Sequence, residues 1–341
     1  MGVILGRGLY KLKSIVTIPT IGINLYLMAY PTLRQLQVFE RLARCGNFSQ
    51  VARELHLTQP TVSMQMAQLQ DIVGSPLFYT HRKKLHLTEA GEIVLAGARI
   101  MLDGLEQMQA RLQALKGLEG GRLRLGVATS AKFFAPRILG HFLQQHPAIE
   151  PTLSVTQRDV LLKRMRDNLD DLYIFSVPPE GPDLTVEPFM PNELVAIAAR
   201  QHPLARRRRR IPLAEFCAQP FLMREPGSGT RITIERHLAQ HGIKIRPRME
   251  LGSNFAIEQA VATGVGVSIV SRTMLAGLHF GEEIRVLDVE TLPILGHWYL
   301  VYLSVKGDMP VVGQFRRFIH QFTDELLAPY RRSAARPDKP S

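Results

Sequence analysis

The stretch from Phe48 to Gly91, FSQVARELHLTQPTVSMQMAQLQDIVGSPLFYTHRKKLHLTEAG, decides how the front of this chain folds. Ser49 stands where an N-cap is expected, ahead of a short helix from Gln50 to His56 with Val51, Ala52 and Leu55 facing inward. A tight connection, Leu57-Thr58, leads to a second helix with Thr58 as N-cap and Pro60 in its first turn, where a missing N–H costs nothing. Val62, Met66, Leu69 and Ile72 form its buried stripe, which ends at Gly74. Upstream, from Thr32, Leu33, Leu36, Phe39 and Leu42 recur at helical spacing until Gly46-Asn47 breaks the pattern.

Two helices joined by a short turn, the second with a polar N-terminal face, form the arrangement that reads the DNA major groove. That face carries Gln59, Thr61, Ser63, Met64 and Gln65, with Ser49 and Pro60 on the same surface. Hydroxyls and amides bond base edges or phosphates, and methyl groups touch thymine. The segment Leu77 to Leu87 reads as a wing with His81-Arg82-Lys83-Lys84 at its tip, so Arg82, Lys83 and Lys84 would meet phosphates or the adjacent minor groove. The bland alternative is a three-helix bundle with a solvated basic loop.

The same run resembles the winged helix-turn-helix of LysR-type transcriptional regulators. Ala52, Leu55, Thr58-Gln59-Pro60 and Val62-Ser63 carry the core of the pattern, Gly74 with Leu77-Phe78 the wing entry, and Leu87-Thr88 with Gly91 the exit. The resemblance extends from Thr32 to about Phe322. It implies that Thr61, Ser63, Met64 and Gln65 lie at base-reading positions, with Arg82 in the wing, and Met64 stands at a place often polar in the family.

Behind Thr88, a good N-cap, one long helix is expected to about Lys116. Val94, Ala98, Met101, Leu105, Met108, Leu112 and Leu115 alternate at spacings of four and three, the a/d seam of a dimerising coiled coil. The competing reading has this stripe pack on its own chain. Gly117 and Gly120-Gly121 end the helix. A dimer carries two recognition helices to two half-sites of a palindromic operator, and the resemblance implies dimers that assemble into tetramers and act with RNA polymerase at a promoter.

From Arg122 short apolar strands alternate with helices, the α/β pattern. Strands are expected at Arg122–Ala128, Thr152–Val155 and Leu172–Phe175, and helices from the Thr129-Ser130 turn through Leu143 and from Asp159 to Asn168. Glu193–Ala199 begins a second lobe, and Trp298–Leu303 returns to the first. The expected fold is therefore an all-α winged helix-turn-helix (29–88), a linker helix (89–120) and a two-lobed α/β domain like periplasmic binding proteins (121–325). Its lobes comprise 121–192 with about 293–325, and 193–292; a basic tail covers 326–341.

A ligand between such lobes sits at strand ends and helix N-termini, where free N–H groups favour anions. Three segments qualify: Thr129-Ser130-Ala131; Arg224 with Gly227, Ser228, Gly229 and Thr230; and Ser253-Asn254. Arg224 supplies fixed charge for a phosphate or carboxylate; the alternative is an ordinary capped helix with Arg224 in an internal ion pair. Within the family, REPGSGTR (224–231), SNFAIEQAVATGVGVSIVS (253–271) and HWYLVY (297–302) are similar to regulators of Calvin-cycle carbon-fixation operons, although Phe255 and Val177 depart from that branch. This similarity implies activation of ribulose bisphosphate carboxylase genes in response to a phosphorylated metabolite or NADPH, with no resident cofactor.

Composition sets the outer limits. The chain has 341 residues, 45% of them hydrophobic, with 42 Lys+Arg against 30 Asp+Glu and a net charge of +12, so it buries a real core and favours a polyanionic partner. Between residues 29 and 121 ten cations stand against eight anions, so the DNA-reading segment is nearly neutral. Arg206 to Arg210 form a run expected as a solvated loop. Cys45 and Cys217 stand too far apart in sequence to suggest a disulfide framework or a zinc site, and no catalytic motif surrounds any histidine or serine, so no enzyme is expected. Residues 1–28 combine Arg7, Lys11 and Lys13 with an apolar run broken by Pro19 and Gly22. Read literally that is an export signal, which with the clam-like half would suit an exported solute-binding protein; the helix-turn-helix instead favours Met28 as the true start, a cytoplasmic chain and no membrane partner.

Overall fold

The computed structural model describes residues 30–82, 84–115, 120–275 and 283–334, in two compact units that divide after Glu92. The N-terminal extension, Lys83 and Gly117 lie outside the described residues.

The first unit opens with α1 (Leu33–Cys45). Thr32 and Gln35 close a reciprocal capping box: Thr32 Oγ1 accepts from the Gln35 N–H, and Gln35 Oε1 accepts from the Thr32 N–H. Leu36, Phe39 and Leu42 are buried, whereas Leu33 is exposed. Gly46 ends the helix at φ 64°. The cap of α2 (Phe48–Glu54) is Asn47 and not Ser49: its Oδ1 accepts from the Gln50 N–H at 3.0 Å. Gly46 has already reversed the chain, so the extended residue directly after it becomes the cap and Ser49 falls, exposed, in the first turn. Next come α3 (Gln59–Val73) and the antiparallel wing of β1 (Phe78–His81) and β2 (Lys84–Leu87). The wing's entry and exit motifs serve one junction. Thr88 Oγ1 donates to the Pro76 carbonyl at 2.7 Å and accepts from the Gly91 N–H at 3.0 Å, which starts α4 (Glu89–Leu115). At Gly91 a Cβ would stand 1.9 Å from the Leu77 carbonyl oxygen, so only glycine lets wing and helix meet there.

In the second unit β3 (Gly121–Ala128) leads through a 3-10 turn, Thr129–Phe133, into α5 (Ala135–Gln145). Then follow β4 (Ile149–Thr156), α6 (Arg158–Arg166), β5 (Leu172–Phe175) and β6 (Leu184–Ala199). The chain continues with α7 (Leu213–Cys217), β7 (Leu222–Arg224), α8 (Gly229–Gln240), β8 (Met249–Leu251) and α9 (Asn254–Ala262). It closes with β9 (Ser268–Ser271), α10 (Arg272–Leu275), β10 (Ile284–Leu287), β11 (Ile294–Leu303) and α11 (Pro310–Ala334).

Strands β4, β3 and β5 run parallel, β11 pairs antiparallel with β5, and β6 pairs with β11 from Leu184↔Leu303 to Leu194↔Ile294. Beyond that point β6 pairs instead with β9 and β10. The two long strands thus run out of one lobe into the other. One hydrophobic core gathers Leu125, Phe142, Ile174, Met190, Trp298 and Phe315; a second gathers Leu194, Phe216, Phe221, Ile269 and Leu292. The change of core falls between Met190 and Leu194 on β6 and between Ile294 and Trp298 on β11.

A buried ionic cluster ties α4 to the first lobe. Asp103 of α4 and Asp171, just before β5, both accept from the Arg124 guanidinium of β3. Lys306, past the end of β11, lies 3.3 Å from Asp103 Oδ2 and 3.2 Å from Asp171 Oδ1, and donates to the Asp170 carbonyl at 3.1 Å. Two cations match two anions, which is the condition for burying charge at all. Burial pushes the Asp103 carboxyl up, but Lys306 and Arg124 outweigh it and hold it below the usual aspartate value.

Candidate nucleic-acid interface and anion cleft

The first face is the N-terminal end of α3. Thr58 caps it through Oγ1, which accepts from the Thr61 N–H at 3.3 Å and lies 2.8 Å from Thr61 Oγ1. Pro60 occupies the first turn. Val62, Met66 and Leu69 point inward with Ile72 half-buried, which leaves Gln59, Pro60 and Met64 exposed and Thr61, Ser63 and Gln65 half-buried. Gln59 Nε2 donates to Ser63 Oγ at 3.2 Å, a bond that water or a base edge can replace. Gln65 differs from its neighbours: its side-chain carbonyl oxygen is enclosed and has no partner. In the wing His81 pairs with Lys84 across the turn, Arg82 holds φ 49°, and both cations Arg82 and Lys84 are exposed.

Along α4 the seven seam positions separate. Met101, Met108 and Leu112 are exposed, Val94 and Leu105 are half-buried, and Ala98 is fully buried within the chain. The side chain of Leu115 lies outside the described residues. Ile93 and Ile100 are also exposed, at 68% and 63%, and widen the apolar stripe on the side that sequence spacing did not select.

The second face lies between the lobes. Arg224, at the end of β7, is buried and all three nitrogens of its guanidinium are bonded. Nε and Nη2 donate to the Glu225 carboxylate at 2.7 Å each, Nη1 to Asn254 Oδ1 at 2.6 Å, and Nη2 also to Thr129 Oγ1 of the first lobe at 3.0 Å. The internal ion pair considered as the alternative for Arg224 is therefore present, and it sits inside the cleft. Ser228 caps α8 by accepting from the Arg231 N–H at 3.1 Å, and Ser253 caps α9 by accepting from the Ala256 N–H at 3.1 Å. Ser130, Ala131 and Thr230 are buried. Gly227 (φ 82°) and Gly229 face the first lobe: a Cβ would stand 3.2 Å from Asp159 Oδ1 and 2.4 Å from Ser176 Oγ respectively. The three segments thus converge on one place.

Sequence reasoning missed Glu225, Lys132 and Glu258. Glu258 lies one turn after Asn254 on α9, buried with both carboxyl oxygens unpartnered, and Asn254 Nδ2 is likewise buried and unpartnered. Burial pushes the Glu258 carboxyl up to about 8, against the opposing pull of Lys132, so it is protonated at neutral pH. Lys132 lies 5.1 Å and 5.9 Å from the ring centroids of Phe133 and Phe255. The one available signal was an acidic residue four places after Asn254, on the same face of the helix.

Elsewhere, Arg206 to Arg210 are exposed, and Arg207 and Arg210 pair with Glu215 and Asp288. Cys45 and Cys217 are free and half-buried, and burial pushes the Cys217 thiol up to about 11, away from nucleophilic use. Among the described residues no helix is long and apolar enough to cross a membrane.

Comparison with known proteins matches residues 33–92 to the bacterial regulatory helix-turn-helix of the lysR family and residues 116–324 to the LysR substrate binding domain. The chain is 43% identical over 301 residues to the transcriptional activator CmpR of Synechocystis sp., which covers 88% of this chain and 96% of that protein. It is 39% identical over 290 residues to a RuBisCO operon transcriptional regulator of Acidithiobacillus ferrooxidans, covering 85% and 94%. Among solved structures, the regulatory domain of Synechocystis CcmR in complex with 2-PG superposes with a TM-score of 0.56 at 43% identity, over 59% of this chain and 97% of that one.

Proposed function

Because the chain belongs to the LysR family of bacterial transcriptional regulators, we propose that it activates carbon-fixation genes when a small phosphorylated acid enters the cleft between its lobes. The observation that carries the reading is Arg224, a buried guanidinium bonded to both lobes through Thr129 and Asn254. A ligand that reaches this arginine alters the contact between lobes. The similarity to CcmR, whose regulatory domain was solved with 2-PG (2-phosphoglycolate), supports a short phosphate ester as the effector. In this reading Gln59, Thr61, Ser63, Met64 and Gln65 face the major groove, Ser49 and Pro60 lie at the same interface, and Arg82, Lys83 and Lys84 meet phosphates or the adjacent minor groove. The exposed stripe on α4 joins two copies, the pairs assemble into tetramers, and the assembly acts with RNA polymerase as a cytoplasmic DNA-binding regulator with no catalytic role of its own.

The test is footprinting on the promoter region of a carbon-fixation operon, with and without 2-phosphoglycolate or NADPH. The wild-type footprint should change with one of them. Arg224→Ala should keep the ligand-free footprint and lose the change; an unaltered response in that variant removes Arg224 from the effector site.

A further inference from the structure

Arg224 already holds an anion. Nε and Nη2 form a two-point fork with Glu225, the geometry that a guanidinium offers to any carboxylate or phosphate. The pairing is unusual because the partner is the next residue in the chain. Neighbours in a strand point to opposite faces, so the contact requires the chain to turn at once. β7 ends at Arg224, and Pro226-Gly227, with Gly227 at φ 82°, makes that turn. The two side chains also differ in access: Arg224 is 2% exposed and Glu225 is 21% exposed, so the anion stands on the solvent side of the cation. On α9, whose Asn254 accepts from Arg224, Asn254 Nδ2 and both oxygens of Glu258 are buried without partners. The site is complete in charge and incomplete in hydrogen bonds. Buried polar atoms without a protein partner are open to the polar groups of a ligand.

We infer that Glu225 is a built-in stand-in for the effector, occupying the fork of Arg224 until a phosphate displaces it. Resting on the reading of the cleft given above, this inference assigns the exchange to the solvent-side carboxylate. The phosphate takes both fork positions, Glu225 turns outward, and Arg224 stays paired throughout, so no charge is ever buried alone. The ligand's second polar group then meets Asn254 Nδ2 and the neutral Glu258 carboxyl. A tethered competitor acts at high effective concentration. A simple carboxylate, which offers the fork no more than Glu225 does, is excluded, while a dianionic phosphate ester displaces it.

The inference is tested by calorimetric titration and thermal melting of the full chain, as wild type, Glu225→Gln and Glu225→Asp, with 2-phosphoglycolate, inorganic phosphate and glycolate as probes. Glu225→Gln should bind 2-phosphoglycolate about tenfold more tightly than wild type. It should also bind inorganic phosphate measurably, and melt lower without ligand but recover with phosphate. Glu225→Asp, too short to span both donors, should fall between. Glycolate should bind wild type far more weakly than 2-phosphoglycolate. A lower melting temperature in Glu225→Gln with no gain in anion affinity overturns the inference and leaves the pair a structural one. If wild type binds no phosphorylated probe, the effector class proposed above fails, yet inorganic phosphate binding by Glu225→Gln alone still supports displacement. Binding by neither protein overturns both. If Glu225→Gln does not fold, the same criteria apply to Glu225→Asp.

Discussion

The N-terminal end of α3 and the cleft at Arg224 both carry polar side chains, but they hold them in opposite ways. On α3, Gln59 and Met64 are exposed and Ser63 is half-buried, and the helix itself fixes their spacing. In the cleft Arg224 of β7 is buried against Asn254 of α9, 30 positions further along the chain, with Glu258 one turn beyond it. A helix face is therefore an independent reader, whereas the cleft is a balance of charges that a ligand must disturb.

Removing one member of a charge-balanced group shows how strongly the second unit depends on that balance. Lys306→Met leaves Asp103 and Asp171 with Arg124 alone, and should cost about 3–5 kcal/mol of stability in chemical denaturation at neutral pH. The wild-type cluster should also be acid-labile. The Asp103 carboxyl lies below its unfolded value of 3.8, so its contribution is fully present above that pH and disappears as the pH falls through the lower folded value. Melting that is flat across this acid range would mean that the Asp103 carboxylate adds no stability to the fold.

In the first unit the sensitive point is the backbone. Gly91→Ala ordinarily favours a helix, yet here its Cβ meets the Leu77 carbonyl at 1.9 Å, and the unit should lose about 3 kcal/mol in thermal melting. A neutral or stabilising outcome would mean that the wing does not seat against α4 as described.

The smallest effects should come from the exposed reader. Ser63→Ala should remove about 1 kcal/mol of discrimination between operator and random DNA in gel shifts at fixed salt. Arg82→Ala should weaken both alike and lower the salt dependence by about one phosphate contact. Equal loss on both DNAs for Ser63→Ala would place that hydroxyl off the base edges.

Much of this was legible before any coordinates. The helices, the wing and the strand alternation of the second unit follow from apolar spacing and cap residues, which act within one turn or one strand. Local reasoning slipped at Ser49, where Asn47 after the left-handed Gly46 is the cap instead. It also missed the exposed Ile93 and Ile100, each one residue ahead of a seam position, and counted Ala98, which is taken up by its own chain. In the cleft, sequence marked Arg224 as a charge but could not show that Glu225 matches it, nor that Glu258 lies buried beside Asn254.

The α3 helix, the wing and the two-lobed plan rest on periodicity and on residues a few places apart, and so were written in the chain itself. Which charges are matched depends on long-range folding. Asp103, Arg124, Asp171 and Lys306 span 204 positions of the chain, and Arg224 meets a threonine 95 residues away. Whether a buried charge is available to a ligand depends on the anions that the fold brings to it, and no local pattern in the sequence records them.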